Sequence, residues 1–274
     1  MVRARLPNPS PAMTTTGRST GPRDLRDHIV LVTGAASGMG AATARAFVEA
    51  GACVALTDLD AEGVRAAAQR LQGGGPGRAE AWTLDVTDAA AIIDVVAQVA
   101  ARFGGIDALV NNAGVTTLSP IDAPEYEERW TRALGVLLTS QQRMIRAVLP
   151  HLRASRAPRI VNIASTEALG GTRNNSAYAA AKSGVIGLTR ALAVELGREA
   201  ITVNCICPGP IETAMTARIP AEHKQTFARQ RTALGRYGSA EEVAHMVLSL
   251  CMPGASYVTG AVIPVDGGLV ARNG

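Results

Sequence analysis

The chain has 274 residues, of which 47% are hydrophobic and 18% charged, with a formal net charge of +4. That length admits one large α/β domain or two small ones, and the composition excludes wholesale disorder. Most of the excess charge lies in the first 27 residues, where Arg3, Arg5, Arg18, Arg23 and Arg26 outnumber Asp24 and Asp27; with aromatics at only 3% and no basic stripe, no nucleic-acid partner is expected.

Residues 1–25 read as a disordered extension ahead of a single domain over 26–274. The stretch 1–23 is rich in Pro, Ser, Thr and Arg and lacks acidic residues. It has no apolar core of the kind a secretory signal needs, and its prolines oppose the amphipathic helix of a transit peptide. Met13 offers an alternative start. Apolar stretches such as 41–50 and 243–252 contain polar residues, and none reaches the roughly 18–20 apolar residues needed to cross a bilayer. Four scattered cysteines, Cys53, Cys205, Cys207 and Cys251, suit buried free thiols rather than a disulfide framework. A reducing cytoplasm is the expected location. The Cys205-x-Cys207 pair lacks further ligands nearby, so no metal is expected.

From residue 28 onward, short apolar runs alternate with helical patterns. The runs predict strands at 29–33, 53–57, 79–84, 108–110, 159–164, 201–206 and 261–264. Helices are predicted near 38–50, 61–71, 89–102, 125–152, 177–198 and 240–250. Gly73-Gly74-Gly75-Pro76-Gly77 breaks the series as a loop. Such alternation implies right-handed βαβ units and an α/β fold: a single-domain, Rossmann-type, doubly wound parallel sheet flanked by helices.

Between the first strand and first helix stands Thr33-Gly34-Ala35-Ala36-Ser37-Gly38-Met39-Gly40. Glycines at that place allow a tight turn and let backbone N–H groups approach a pyrophosphate at a helix N-terminus. The second strand ends at Asp58, where a carboxylate can hold both ribose hydroxyls of NAD and repel the 2′-phosphate of NADP. A helix cap is the other reading of Asp58. Ala36, Ser37 and Met39 offer no cation for that phosphate, so NAD is preferred over NADP.

Tyr178 and Lys182 are four residues apart, on one face of a helix. An ammonium near a phenol favours the phenolate, which suits the tyrosine to acid–base work near neutral pH. Only two lysines occur in the chain, Lys182 and Lys224.

The glycine turn, Asn111-Asn112-Ala113-Gly114, Ser165, Tyr178-x-x-x-Lys182 and Pro208-Gly209 follow one another at spacings that resemble the short-chain dehydrogenase/reductases. The resemblance spans residues 28–268. It implies an enzyme, a homotetramer or homodimer, that moves hydride between NAD(P) and a small alcohol or carbonyl compound. By that resemblance Ser165 orients the substrate oxygen, Tyr178 exchanges a proton with it, and Lys182 holds the nicotinamide ribose and lowers the tyrosine pKa. Gly34, Ser37, Gly38, Met39, Gly40 and Asp58 are implied to hold the adenosine and pyrophosphate. Asp85 and Val86 lie beside the adenine; Asn111, Asn112, Ala113 and Gly114 close the middle. Pro208, Gly209, Ile211 and Thr213 lie at the carboxamide end. Asp85 as a helix cap and Asn111-Asn112 as a polar turn remain the plainer alternatives.

One position departs from the family pattern. Leu137 stands 28 residues before Ser165, where an asparagine that helps hold a water linking the lysine to solvent is common. Leucine keeps the main-chain carbonyl and loses the amide. The region 213–236 is expected to be an irregular lid over the substrate, and Glu167 and Arg173 to pair with each other or contact a polar substrate group. The reading is an NAD-dependent oxidoreductase acting on a secondary alcohol or ketone. Its rivals are a 3-oxoacyl-thioester reductase using NADPH and a weakly catalytic dinucleotide-binding sensor.

Overall fold

In the computed structural model, which describes residues 25–272, the apolar run Ile29–Thr33 forms β1, an inner strand of a seven-stranded sheet. Its residues alternate between the two faces, as a period of two requires: Val30 and Val32 join one apolar cluster and Leu31 the other. The remaining strands are β2 (Cys53–Asp58), β3 (Arg78–Thr83), β4 (Ala108–Asn111), β5 (Arg159–Ile163), β6 (Thr202–Pro208) and β7 (Val262–Val265). Their order is β3-β2-β1-β4-β5-β6-β7, with every pairing parallel. All seven predicted strands are present, with ends shifted by one or two residues.

Helices cover both faces, as a sheet apolar on both sides demands. Phe47 of α1 (Gly38–Glu49), Val64 of α2 (Ala61–Arg70), and Val243 and Val247 of α9 (Ala240–Cys251) pack on one face. On the other lie Ile92 and Val96 of α3 (Ala89–Phe103), Val148 and Leu152 of α5 (Ser140–Ala154), and Leu196 of α6 (Ser176–Leu196). Caps fix several entries: Asp60 accepts Gly63 N–H, Asp88 accepts Ala90 and Ala91 N–H, and Ser239 forms a reciprocal box with Glu242. Leu25, expected in the extension, is buried and donates its N–H to Ala50 O at 3.0 Å; the rest of that predicted segment lies outside the described residues.

Two expectations are corrected. The single helix predicted over 125–152 is α4 (Tyr126–Leu134) and α5 joined by a π turn, Gly135–Thr139. A π turn accommodates one extra residue and widens the helix, and side chains one turn on take two of its carbonyls: Ser140 Oγ donates to Val136 O at 2.6 Å and Gln141 Nε2 to Leu137 O at 3.0 Å. The segment 213–236, expected to be an irregular lid, holds α7 (Ala214–Ala217) and α8 (Ala221–Arg231).

Sheet order places the site. β1 leads outward to β2 and β3 on one side, while β4 to β7 run to the other. Connections leaving the carboxyl ends of β1 and β4 diverge, and a crevice opens between them.

Candidate active site

The glycine turn forms one wall of that crevice. Gly34 (φ +66°) and Gly38 (φ +55°) occupy left-handed backbone that favours glycine. A Cβ on Gly34 would lie 2.8 Å from Ala113 Cα, and one on Gly40 would strike Gly34 O. Gly40 therefore closes the turn from behind, while Gly34 lets the two walls meet. Asn112 fastens them: its Nδ2 donates to Thr33 O at 2.9 Å and Gly34 O at 3.0 Å. Thr33 Oγ1 accepts the N–H groups of Asn112 and Ala113, both at 3.0 Å.

Asp58, at the end of β2, accepts Ala36 N–H at 3.0 Å and Asp60 N–H at 3.0 Å. The helix cap is Asp60, so Asp58 is not the cap of α2. Asp85 likewise leaves capping to Asp88 and accepts the N–H and hydroxyl of Thr87 at 2.8 and 2.7 Å. Asn111 turns away from the crevice. Buried at the end of β4, it donates to Asn162 Oδ1 at 2.9 Å, and Asn162 donates to Thr189.

The cleft between these walls measures about 410 Å³. Gly34, Ser37, Gly38, Met39, Asp58, Asp85, Val86, Asn112, Ala113, Gly114, Tyr178, Lys182 and Thr213 all line it. Gly40, Ser165, Pro208, Gly209 and Ile211 do not; Ser165 is buried just behind Ala164, Gly209 is wedged against Asp266, and Ile211 is buried in a bridge to Gly238. Residues missed in the sequence include Leu59, Val115, Arg132, Val136 and Met215. Val115 continues the Asn-Ala-Gly turn and could have been reached by extension; nothing marks Arg132. A larger cavity of about 740 Å³ lies beneath α8, beside Lys224 and Tyr237, and shares no lining residue with the cleft. Tyr178 and Lys182 are in the smaller one.

At the inner end of the cleft Ser165, Tyr178 and Lys182 come together. Ser165 follows β5 and accepts Glu167 N–H at 3.1 Å, and its hydroxyl faces the Tyr178 phenol closely enough to act on its charge. Burial raises the tyrosine pKa above 10, the neighbouring Ser165 hydroxyl opposes this, and the Glu167 carboxylate adds to it. The depression expected from Lys182 is absent because the ammonium is committed elsewhere: Nζ donates to Ile163 O at 2.7 Å and lies 5.7 Å from the Tyr178 ring centroid. Burial lowers Lys182 from 10.5 to about 8, with Cys205 and Cys207 acting the other way. Leu137 is fully buried against Ala177 and Ala181 of α6. Glu167 accepts from Thr172 N, Thr172 Oγ1 and Asn175 Nδ2 at 3.0, 2.7 and 3.2 Å, so it pairs with these and not with Arg173. Among the described residues, no three His, Cys, Asp or Glu side chains form a metal-binding group, and no helix is long and apolar enough to cross a membrane.

This cleft fits a dinucleotide. Its two walls meet through a Cβ-free approach at Gly34, a carboxylate stands at the outer end, and a phenol and an ammonium stand at the inner end. A parallel sheet with that crevice and that trio defines a dehydrogenase or reductase of the Rossmann type. Comparison with known proteins agrees. The family model described as enoyl-(acyl carrier protein) reductase matches residues 34–270. The chain is 40% identical over 246 residues to the 3-oxoacyl-[acyl-carrier-protein] reductase FabG of Thermotoga maritima, covering 90% of this chain and 99% of that one. It is 39% identical over 246 residues to the meso-2,3-butanediol dehydrogenase of Serratia marcescens, covering 90% and 96%. A doubly substituted short-chain dehydrogenase/reductase of Serratia marcescens superposes with a TM-score of 0.84 at 35% identity, over 90% of this chain and 99% of that one. The chain belongs to the short-chain dehydrogenase/reductase family, oxidoreductases that use nicotinamide cofactors on small molecules.

Proposed function

We propose that the protein is an NAD-dependent oxidoreductase of secondary alcohols and their ketones, with Tyr178 as the acid–base residue. The observation that carries this is that the Tyr178 phenol, next to Lys182 on α6 and beside Ser165, opens on the same cleft as Asp58. Bound in the cleft, the nicotinamide supplies the acceptor or donor of a hydride. Gly34, Ser37, Gly38 and Met39 would hold the pyrophosphate, with Asn112 to Gly114 opposite them across the cleft. Asp85 and Val86 flank the adenine, and Thr213 meets the carboxamide end. Pro208, Gly209 and Ile211 support that end from β6.

In oxidation, ionised Tyr178 takes the hydroxyl proton of the substrate, and Ser165 donates a hydrogen bond to the oxygen as its charge develops. In reduction, the same phenol returns the proton. Lys182 holds the nicotinamide ribose and keeps a positive charge near the phenol. Asp58 supports NAD over NADP, since a second anion at the ribose 2′ position would face its carboxylate. The 3-oxoacyl-thioester reductase reading draws on the Thermotoga relative; a preference for NADPH would favour it. We further propose a homotetramer or homodimer. Val194 on α6 is 84% exposed, and the edge strand β7 is only half covered, as contact surfaces in a monomer would be.

The test follows nicotinamide absorbance with NAD and then NADP across a panel of secondary alcohols, with Tyr178→Phe as the blank. Tyr178-dependent reduction of NAD is the expected result. Equal rates in the blank would overturn the assignment of Tyr178, and faster turnover with NADP would overturn that of the cofactor.

A further inference from the structure

Leu137 removes an amide from the neighbourhood of Lys182, yet an amide is still there. Gln141 lies one turn farther along the helix and is 2% exposed. Its Nε2 donates to Leu137 O at 3.0 Å and lies 3.5 Å from Ile163 O. Ile163 O is also the acceptor of Lys182 Nζ, at 2.7 Å. The glutamine amide and the catalytic ammonium therefore converge on one carbonyl at the end of β5.

The orientation of that amide is determined by its surroundings. Two carbonyl oxygens face it, and each requires a donor, so the NH₂ group points to them and the amide oxygen points away. Gln141 Oε1 is fully buried and meets no donor from the protein. A buried acceptor without a partner is destabilising, so the group points to a donor that it receives. Lys182 carries three N–H groups and uses one on Ile163 O.

We propose that Gln141 is a positioning residue for Lys182: its amide NH₂ braces the π turn against the end of β5, and its oxygen accepts from the lysine ammonium through one water. The inference rests on the reading of Lys182 as part of the site. It makes the substitution at Leu137 a relocation of the amide rather than its loss. The titratable groups facing Lys182 are Cys205 and Cys207 on β6 and Tyr178 on its own helix, with Ser165 and Glu167 beyond the phenol.

The chain has two lysines, so protein labelled at the lysine side chains gives two resonances, and Lys224→Arg assigns them. In the wild type Lys182 titrates near 8. Gln141→Leu and the better-packing Gln141→Met remove the acceptor, which lowers that midpoint further, by about one unit. Their kcat falls about tenfold while KM for NAD stays within about twofold. Adding Leu137→Asn to Gln141→Leu restores both readouts. An unchanged Lys182 titration in both single variants overturns the proposal, as does a loss confined to KM. If the titration moves but the wild type shows no Tyr178-dependent turnover, the functional reading fails and the role of Gln141 stands.

Discussion

The carboxylate of Asp58 accepts the main-chain N–H of Ala36 at 3.0 Å, joining the end of β2 to the turn that follows β1. One side chain thus shapes the turn and presents negative charge to the cleft. Asp58→Ser should weaken both roles. NAD loses a hydrogen bond to a charged group, worth about 1.5–3 kcal/mol, so KM for NAD should rise about tenfold or more, and kcat/KM for NADP should rise as repulsion disappears. Steady-state kinetics with the two cofactors measures the exchange. An unaltered NAD to NADP ratio would remove Asp58 from cofactor selection.

Tyr178 gives the second prediction. Burial holds its pKa above 10 before cofactor and substrate arrive, so the phenol is protonated at neutral pH. Oxidation needs the phenolate, and kcat/KM for the alcohol should climb as pH rises toward the alkaline range. Reduction needs the phenol and should stay level through neutrality, then fall. Tyr178→Phe should eliminate turnover by a factor of about 10² or more while fluorescence titration still reports NADH binding.

Gly40 carries the third. A methyl group there meets the carbonyl of Gly34, which is backbone and cannot swing aside. Gly40→Ala should destabilise the protein by about 1–3 kcal/mol, as overpacking does. It should also weaken cofactor affinity, because the turn at Gly34 is displaced. Gly135→Ala is the control: nothing lies within 4 Å of a Cβ at that position, and both melting temperature and affinity should stay near wild type.

Much of this architecture was legible because its signals are local. β1 is an apolar run to its last residue and β6 is buried along its whole length, so the parallel sheet follows from their burial on both faces. The glycine turn and the Tyr178/Lys182 pair are spacings within a single element or connection. The features that escaped depend on other elements. The π turn at 135–139 adds one residue without disturbing the apolar stripe enough to show. Gln141, in a run of Ser and Gln, reads as a solvated helix face until β5 and α6 close over it. α8 buries only Ala228, so no periodic stripe announced the lid helices. Glu167 was set against Arg173 by charge, whereas the turn between them brings Thr172 and Asn175 closer.

Lys182 yields the last prediction, through stability rather than turnover. Its pKa falls from 10.5 to about 8 on folding because burial penalises the ammonium. Below about pH 8 both folded and unfolded chains carry the proton, and the folded state bears the full penalty. Between about 8 and 10.5 the unfolded chain binds more protons, so this group makes stability rise with pH. A shift of that size corresponds to about 3 kcal/mol. Lys182→Met, free of the buried charge, should be more stable than wild type at pH 7, and the gap should narrow as pH approaches 10. Denaturant unfolding of the two proteins across that range measures it. A constant difference would mean that the lysine keeps an ordinary pKa in the folded protein, and that Ile163 O and its neighbours compensate the charge completely.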